Sequence, residues 1–128
     1  MPAKIRTGFV SNSSSSSFIL SKNLLEDEQI DLIINHKEYS KEILERLNND
    51  KIFKIVSGVY HFSDYEFDAT GWNEWNVKQS DNFILLETNL DNFNMEQYLE
   101  IIRATNSITN YRNLDEDDSN EIDLLRNS

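Results

Sequence analysis

The sequence predicts an α+β domain: a small antiparallel or mixed sheet with an N-terminal helical hairpin and a C-terminal covering helix. Three observations carry that reading. Apolar spacing is helical before residue 50, strand-like between 52 and 88, and helical again after Asn94. Hydrophobic residues make up 38% of the chain, with seven Phe, five Tyr and two Trp, which suffices for a core and argues against disorder throughout. Only three Gly and one Pro occur, too few for a flexible low-complexity chain, and 128 residues fit one domain.

The elements follow in order. Ile5 to Val10 can extend as a strand, with Gly8 a weak point. Ser11, Asn12 and the five serines Ser13, Ser14, Ser15, Ser16 and Ser17 then lead into Phe18-Ile19-Leu20, a second apolar run. Leu24 to Ile34 has helical spacing through Leu25, Gln29, Leu32 and Ile33, with acids gathered at its start where the helix dipole favours them. Asn35-His36-Lys37 is a polar junction, with His36 a helix-end residue in contact with the dipole. Tyr39 to Leu47 forms the second helix, burying Tyr39, Ile43, Leu44 and Leu47 and turning Lys41, Glu42, Glu45 and Arg46 to water. Ile52 to Phe62 is rich in β-branched and aromatic residues and reads as a strand with an irregularity at Gly58. Trp72 to Val77 is a strand or part of a wide loop. Phe83 to Thr88, apolar without clean alternation, suits a central strand covered on both faces. Asn94 caps a helix over Met95 to Ala104 whose Tyr98, Leu99 and Ile102 face the sheet. Residues 1–114 make the domain. Residues 115–128 form an acidic tail, either disordered or a short helix through Ile122, Leu124 and Leu125.

Twenty-three acidic residues against twelve basic ones give a formal charge of −11. Such a chain is repelled by nucleic-acid backbones, whose recognition begins with Lys and Arg. It can meet a basic protein surface, although the same charge also serves solubility. No cysteine is present, which removes disulfides, thiolate nucleophiles and cysteine metal sites. Neither a secretory apolar region nor a run of about twenty apolar residues for a membrane span occurs. The expected compartment is therefore a cytoplasm.

The candidate binding surface lies between residues 64 and 74. Asp64, Glu66, Asp68 and Glu74 fall there with no Lys or Arg, interleaved with aromatic residues including Trp72 and Trp75. In an extended segment Asp64, Glu66 and Asp68 share one face. Aromatic anchors among acids are what a docking site for a basic partner uses. The competing readings are that the acids are a solvated strand edge and that the indoles cover the core. The three alternating carboxylates could also hold Mg²⁺ or do acid–base work. No cofactor is expected. His61 and His36 have no ligand spacing around them, and no base or nucleophile elbow accompanies any serine. The loop Ser11, Asn12, Ser13, Ser14, Ser15, Ser16, Ser17 has three readings: a solvent-facing connection, an anion-binding nest, or a segment that is processed or modified.

The run Ile5-Arg6-Thr7-Gly8-Phe9-Val10-Ser11-Asn12 with its serines and Phe18 resembles the N-terminal signature of small uncharacterised proteins of tailed bacteriophages. Thr88-Asn89-Leu90-Asp91-Asn92-Phe93-Asn94-Met95, closing in Tyr98-Leu99, resembles a downstream segment of the same proteins. Asn94 stands where Asp is usual there, and Leu90 where Met is common. The two segments cover about a fifth of the chain. The resemblance implies a phage accessory protein in the cytoplasm of an infected bacterium, which binds and inhibits or modulates a host protein, such as a defence or nucleic-acid-handling factor. It transfers no catalytic residue. A virion component processed at the serines, and a ligand- or metal-binding module or enzyme, remain the alternatives.

Overall fold

The computed structural model describes residues 16–59, 74–88 and 93–128. The expected strand at 5–10, the serine-run residues before Ser16, and His61, Asp64, Glu66, Asp68 and Trp72 lie outside the described residues.

A three-stranded antiparallel sheet organises the fold. Strand β1 is Ser16–Ser21, β2 is Asn76–Gln79 and β3 is Phe83–Thr88, with β3 in the middle. Ser17 pairs with Glu87, Phe18 with Leu86, Ile19 with Leu85 and Leu20 with Ile84. Ser16 and Ser17, the end of the serine run, are therefore paired strand residues. The unbroken apolar run of β3 has the expected cause, since both faces of the sheet are covered. Phe18, Leu20, Ile84 and Leu86 point into the larger cluster, with Ile33, Ile43, Leu47, Trp75, Phe93, Met95, Tyr98 and Leu99. Ile19, Phe83 and Leu85 point the other way and meet Ile122 and Leu125.

Helices α1 (Asp27–Ile34) and α2 (His36–Asn49) are joined by the single residue Asn35. Glu26 and Gln29 form a capping box at the start of α1, and Gln29 Nε2 also donates to the Ile102 and Arg103 carbonyls, tying α1 to the end of α4 (Met95–Ile101). Asn94 caps α4 as expected, accepting the Gln97 N–H at 3.0 Å.

One expectation gives way. Ile52 to Phe62 is not a strand in its described part, because Lys51–Ser57 is helix α3. Asp50 accepts the Phe53 N–H at 3.0 Å as its N-cap, and Gly58 closes it at φ 75°, the left-handed conformation that glycine reaches without a Cβ penalty. Of the apolar side chains of α3 only Phe53 turns inward, beneath the Arg46 guanidinium 4.0 Å from its ring centre, while Ile52, Ile55 and Val56 stand exposed. His36 sits at the helix end as expected, its Nδ1 3.0 Å from the Ile33 carbonyl in the last turn of α1, and is fully buried.

Of the two readings of the acidic terminus, the chain adopts the helix. Helix α5 (Glu116–Arg126) starts at Asp115, which accepts the Asp118 N–H at 2.8 Å. Glu116, Asp117 and Asp118 occupy its first turn, where the dipole favours them. Ile122 and Leu125 seal the second face of the sheet, and Leu124 is 74% exposed.

Candidate functional site

The joint between α1 and α2 gathers the charged and aromatic groups of greatest interest. With one residue between the helices, the end of α1 and the start of α2 are held by side chains. Asp31 accepts from Asn35 Nδ2 at 2.7 Å through one carboxylate oxygen and from the Tyr39 hydroxyl at 2.9 Å through the other. Tyr39 is thus half-buried at the joint, not a plain member of the apolar stripe of α2. Its phenol is pushed above its ordinary pKa, first by the hydrogen bond to Asp31, then by the charges of Asp31, Glu42 and Glu38. One phenol therefore feels three carboxylates from two helices. Asp31, Glu38 and Glu42 are exposed and make no ion pair with a described Lys or Arg.

Glu74 lies beside the start of α2. Its carboxylate lies 3.9 Å from the Lys37 ammonium, with both side chains 43% exposed. The Glu74 and Glu38 charges both act on His36. Of the sequence-predicted surface, the described residues place Glu74 beside Lys37 at the start of α2.

Trp75 sits elsewhere. It is 2% exposed, stacks on Phe18 with ring centres 5.6 Å apart, and donates its indole N–H to the Phe93 carbonyl at 3.1 Å. The surface role expected for its indole is replaced by a core role. A large ring with a satisfied N–H loses more by leaving that pocket than a rim contact returns.

Beneath the patch, His36 bridges the joint to the start of β2. Its Nε2 accepts the Trp75 backbone N–H at 3.1 Å, so Nε2 carries no proton and Nδ1 donates to the Ile33 carbonyl at 3.0 Å. Phe93 and Tyr98 close around the ring at 5.4 and 6.5 Å between centres. Burial lowers the pKa of His36, against the opposing pull of the Ile33 carbonyl, Glu74 and Glu38. Tyr98 donates to the Leu32 carbonyl at 2.6 Å, and burial raises its phenol further out of the titrating range.

No family model, curated protein or solved structure matches the chain. Its chemistry is therefore read from its own residues. Among the described residues no group of three or more His, Asp or Glu side chains could hold a metal ion, and no helix is long and apolar enough to cross a membrane. Ser17 is exposed on β1, opposite Glu87 of β3. What the joint offers is negative charge around a phenol on a rigid corner, an arrangement that attracts and orients cations.

The sequence carried a partial signal for this patch. Asp31 and Asn35 are four apart, as are Glu38 and Glu42, so each pair shares a helix face. That the two faces meet depends on the one-residue joint, which spacing within either helix does not reveal.

Proposed function

We propose that this chain is a small accessory protein of a tailed bacteriophage. It acts in the cytoplasm of the infected bacterium by binding a host protein with a basic surface and inhibiting or modulating it. The binding part rests on the exposed Asp31 carboxylate that accepts from the Tyr39 hydroxyl, with Glu38 and Glu42 also opposing ionisation of that phenol, and on Glu74 beside Lys37 at the start of α2. Carboxylates at such density on rigid helices steer a positively charged partner and fix its orientation. The phage part rests on the Gly8-Phe9-Val10-Ser11-Asn12 signature and the Asn92-Phe93 segment. Asp64, Glu66, Asp68 and Trp72 extend the same acidic and aromatic composition and belong to the proposed surface as sequence candidates.

Affinity capture from bacterial lysate tests this, comparing the wild-type chain with the variant carrying Glu38→Lys, Glu42→Lys and Glu74→Lys. The reading expects a saturable partner that is shed as salt rises from about 50 to 500 mM, because exposed charge pairs are screened over that range. It also expects the triple reversal to weaken capture by tenfold or more. A partner held equally by both proteins at all salt concentrations would remove the acidic corner from the interface.

A further inference from the structure

We propose that His36 is a proton-sensitive latch, which as the neutral imidazole holds the Trp75 backbone and Glu74 against the α1–α2 joint and on protonation releases them. Both ring nitrogens are committed. Nδ1 donates to Ile33 and Nε2 accepts from Trp75, so a proton added at Nε2 sets two N–H groups against each other 3.1 Å apart between the heavy atoms. Water does not reach the buried ring to relieve that clash. The imidazolium gains its hydration only if the segment entering β2 moves off the joint.

The groups facing the ring set the direction of the response. From α2 come Glu38 and the adjacent Lys37, and from the approach to β2 comes Glu74, which Lys37 already engages at 3.9 Å. Helix α1 contributes only the Ile33 carbonyl, and α4 contributes Tyr98, whose hydroxyl is occupied by Leu32. The two carboxylates favour a charged ring, but burial acts more strongly against it. Protonation is thus preferred in the opened state. Because the folded value lies below the ordinary 6.5, closure is fully stabilised above about 6.5 and weakens as pH falls toward the folded value.

Glu74 precedes Trp75 and moves with it, so release removes one carboxylate from the acidic corner. This consequence rests on the binding role proposed above, whereas the latch is a property of the free protein and is tested there. Amide hydrogen exchange, corrected for the intrinsic rate, is followed at Trp75 and at Leu85 in the middle of β3 between pH 7.5 and 5. The latch expects Trp75 protection to fall as pH drops below about 6.5, by no more than about tenfold per pH unit and only until the lowered folded value is reached, one proton being taken up on opening. Leu85 protection should fall much less. In His36→Gln, whose side-chain oxygen can accept the same N–H without titrating, the excess pH dependence at Trp75 should vanish. Should that variant not fold, the comparison of Trp75 with Leu85 in the wild type decides alone. If the two amides lose protection in parallel, His36 is a core histidine coupled only to global unfolding, and the latch is wrong.

Discussion

Glu121 on α5 grips Asn82 in the turn between β2 and β3 at two points: one carboxylate oxygen accepts the backbone N–H at 3.0 Å and the other the side-chain amide at 2.9 Å. The Ser80 hydroxyl donates to the same carboxylate. An acid read from sequence as part of a tail thereby fastens the last helix to the sheet. These hydrogen bonds, Ser80 first and Asn82 next, hold the Glu121 pKa below the ordinary 4.5. Stability from this carboxylate is therefore fully present above about 4.5 and lost as pH falls through the depressed folded value. Glu121→Gln is expected to cost about 1–2 kcal/mol at pH 7, since charge-assisted bonds are the stronger ones. The gap between variant and wild type should narrow toward pH 3. Urea unfolding at both pH values checks the sign.

The second face of the sheet makes α5 a structural necessity. Ile122 is fully buried against Ile19, Phe83 and Leu85, while Leu124, two residues on, is 74% exposed. Ile122→Ala should cost about 2–4 kcal/mol through lost burial and the cavity left behind. Leu124→Ala should stay within about 0.5 kcal/mol. Thermal denaturation of the two variants separates a docked helix from a loosely attached one, in which neither change would matter.

Helix α3 shows where reading by composition fails. Ile52, Phe53, Ile55, Val56 and Val59 look like a strand because β-branched and aromatic residues favour pleated, half-buried surfaces. Asp50 and Gly58 supply both helix stops, an N-cap and a left-handed C-cap, and these local signals prevail over composition. Gly58→Ala should cost about 1 kcal/mol, all of it conformational, because an added Cβ meets nothing within 4 Å. Ile55→Lys, on the exposed stripe, should change stability by no more than about 0.5 kcal/mol. A cost of several kcal/mol for Ile55→Lys in urea unfolding would mean that this face is buried.

Where covering layers meet strands, the sequence was informative. The unbroken apolar run from Phe83 to Leu86 marked a central strand, and the Asn94 cap marked the start of α4. Long-range partners were not legible. Nothing near His36 in the chain announces Trp75, 39 residues away, and nothing near Glu121 announces Asn82, 39 residues before it. Both polar side chains look like solvent-facing residues until the fold brings a backbone N–H to them. The candidate site shares this pattern. Glu74 was found through local charge density, whereas the meeting of Asp31 with Tyr39 follows from how tightly two helices are joined.

Arg103 tests how the end of α4 is paid for in backbone strain. It is a non-glycine residue at φ 62°, and its N–H donates to the Glu100 carbonyl while the Ala104 N–H reaches back to Leu99 at 2.8 Å. That pair of bonds is the Schellman closure, with buried Ala104 packed in the same cluster as Leu99. The left-handed position suits glycine, which has no Cβ to crowd the following carbonyl. Arg103→Gly should therefore be neutral to stabilising by up to about 1 kcal/mol, measured as a rise in Tm.

Tyr39 offers the most direct measurement on the candidate site itself. Its hydroxyl donates to Asp31 while the charges of Glu42 and Glu38 also oppose ionisation, so the phenol should titrate above an ordinary tyrosine. Ultraviolet titration of wild type against Tyr39→Phe isolates that one phenol. With Glu38→Gln and Glu42→Gln in the background, the Tyr39 titration should move down toward 10, because two of the charges that disfavour the phenolate are gone while the Asp31 hydrogen bond remains. An unchanged titration would mean that Glu38 and Glu42 do not share a surface with Tyr39. The acidic corner would then shrink to Asp31 and Glu74, too sparse to orient a basic partner.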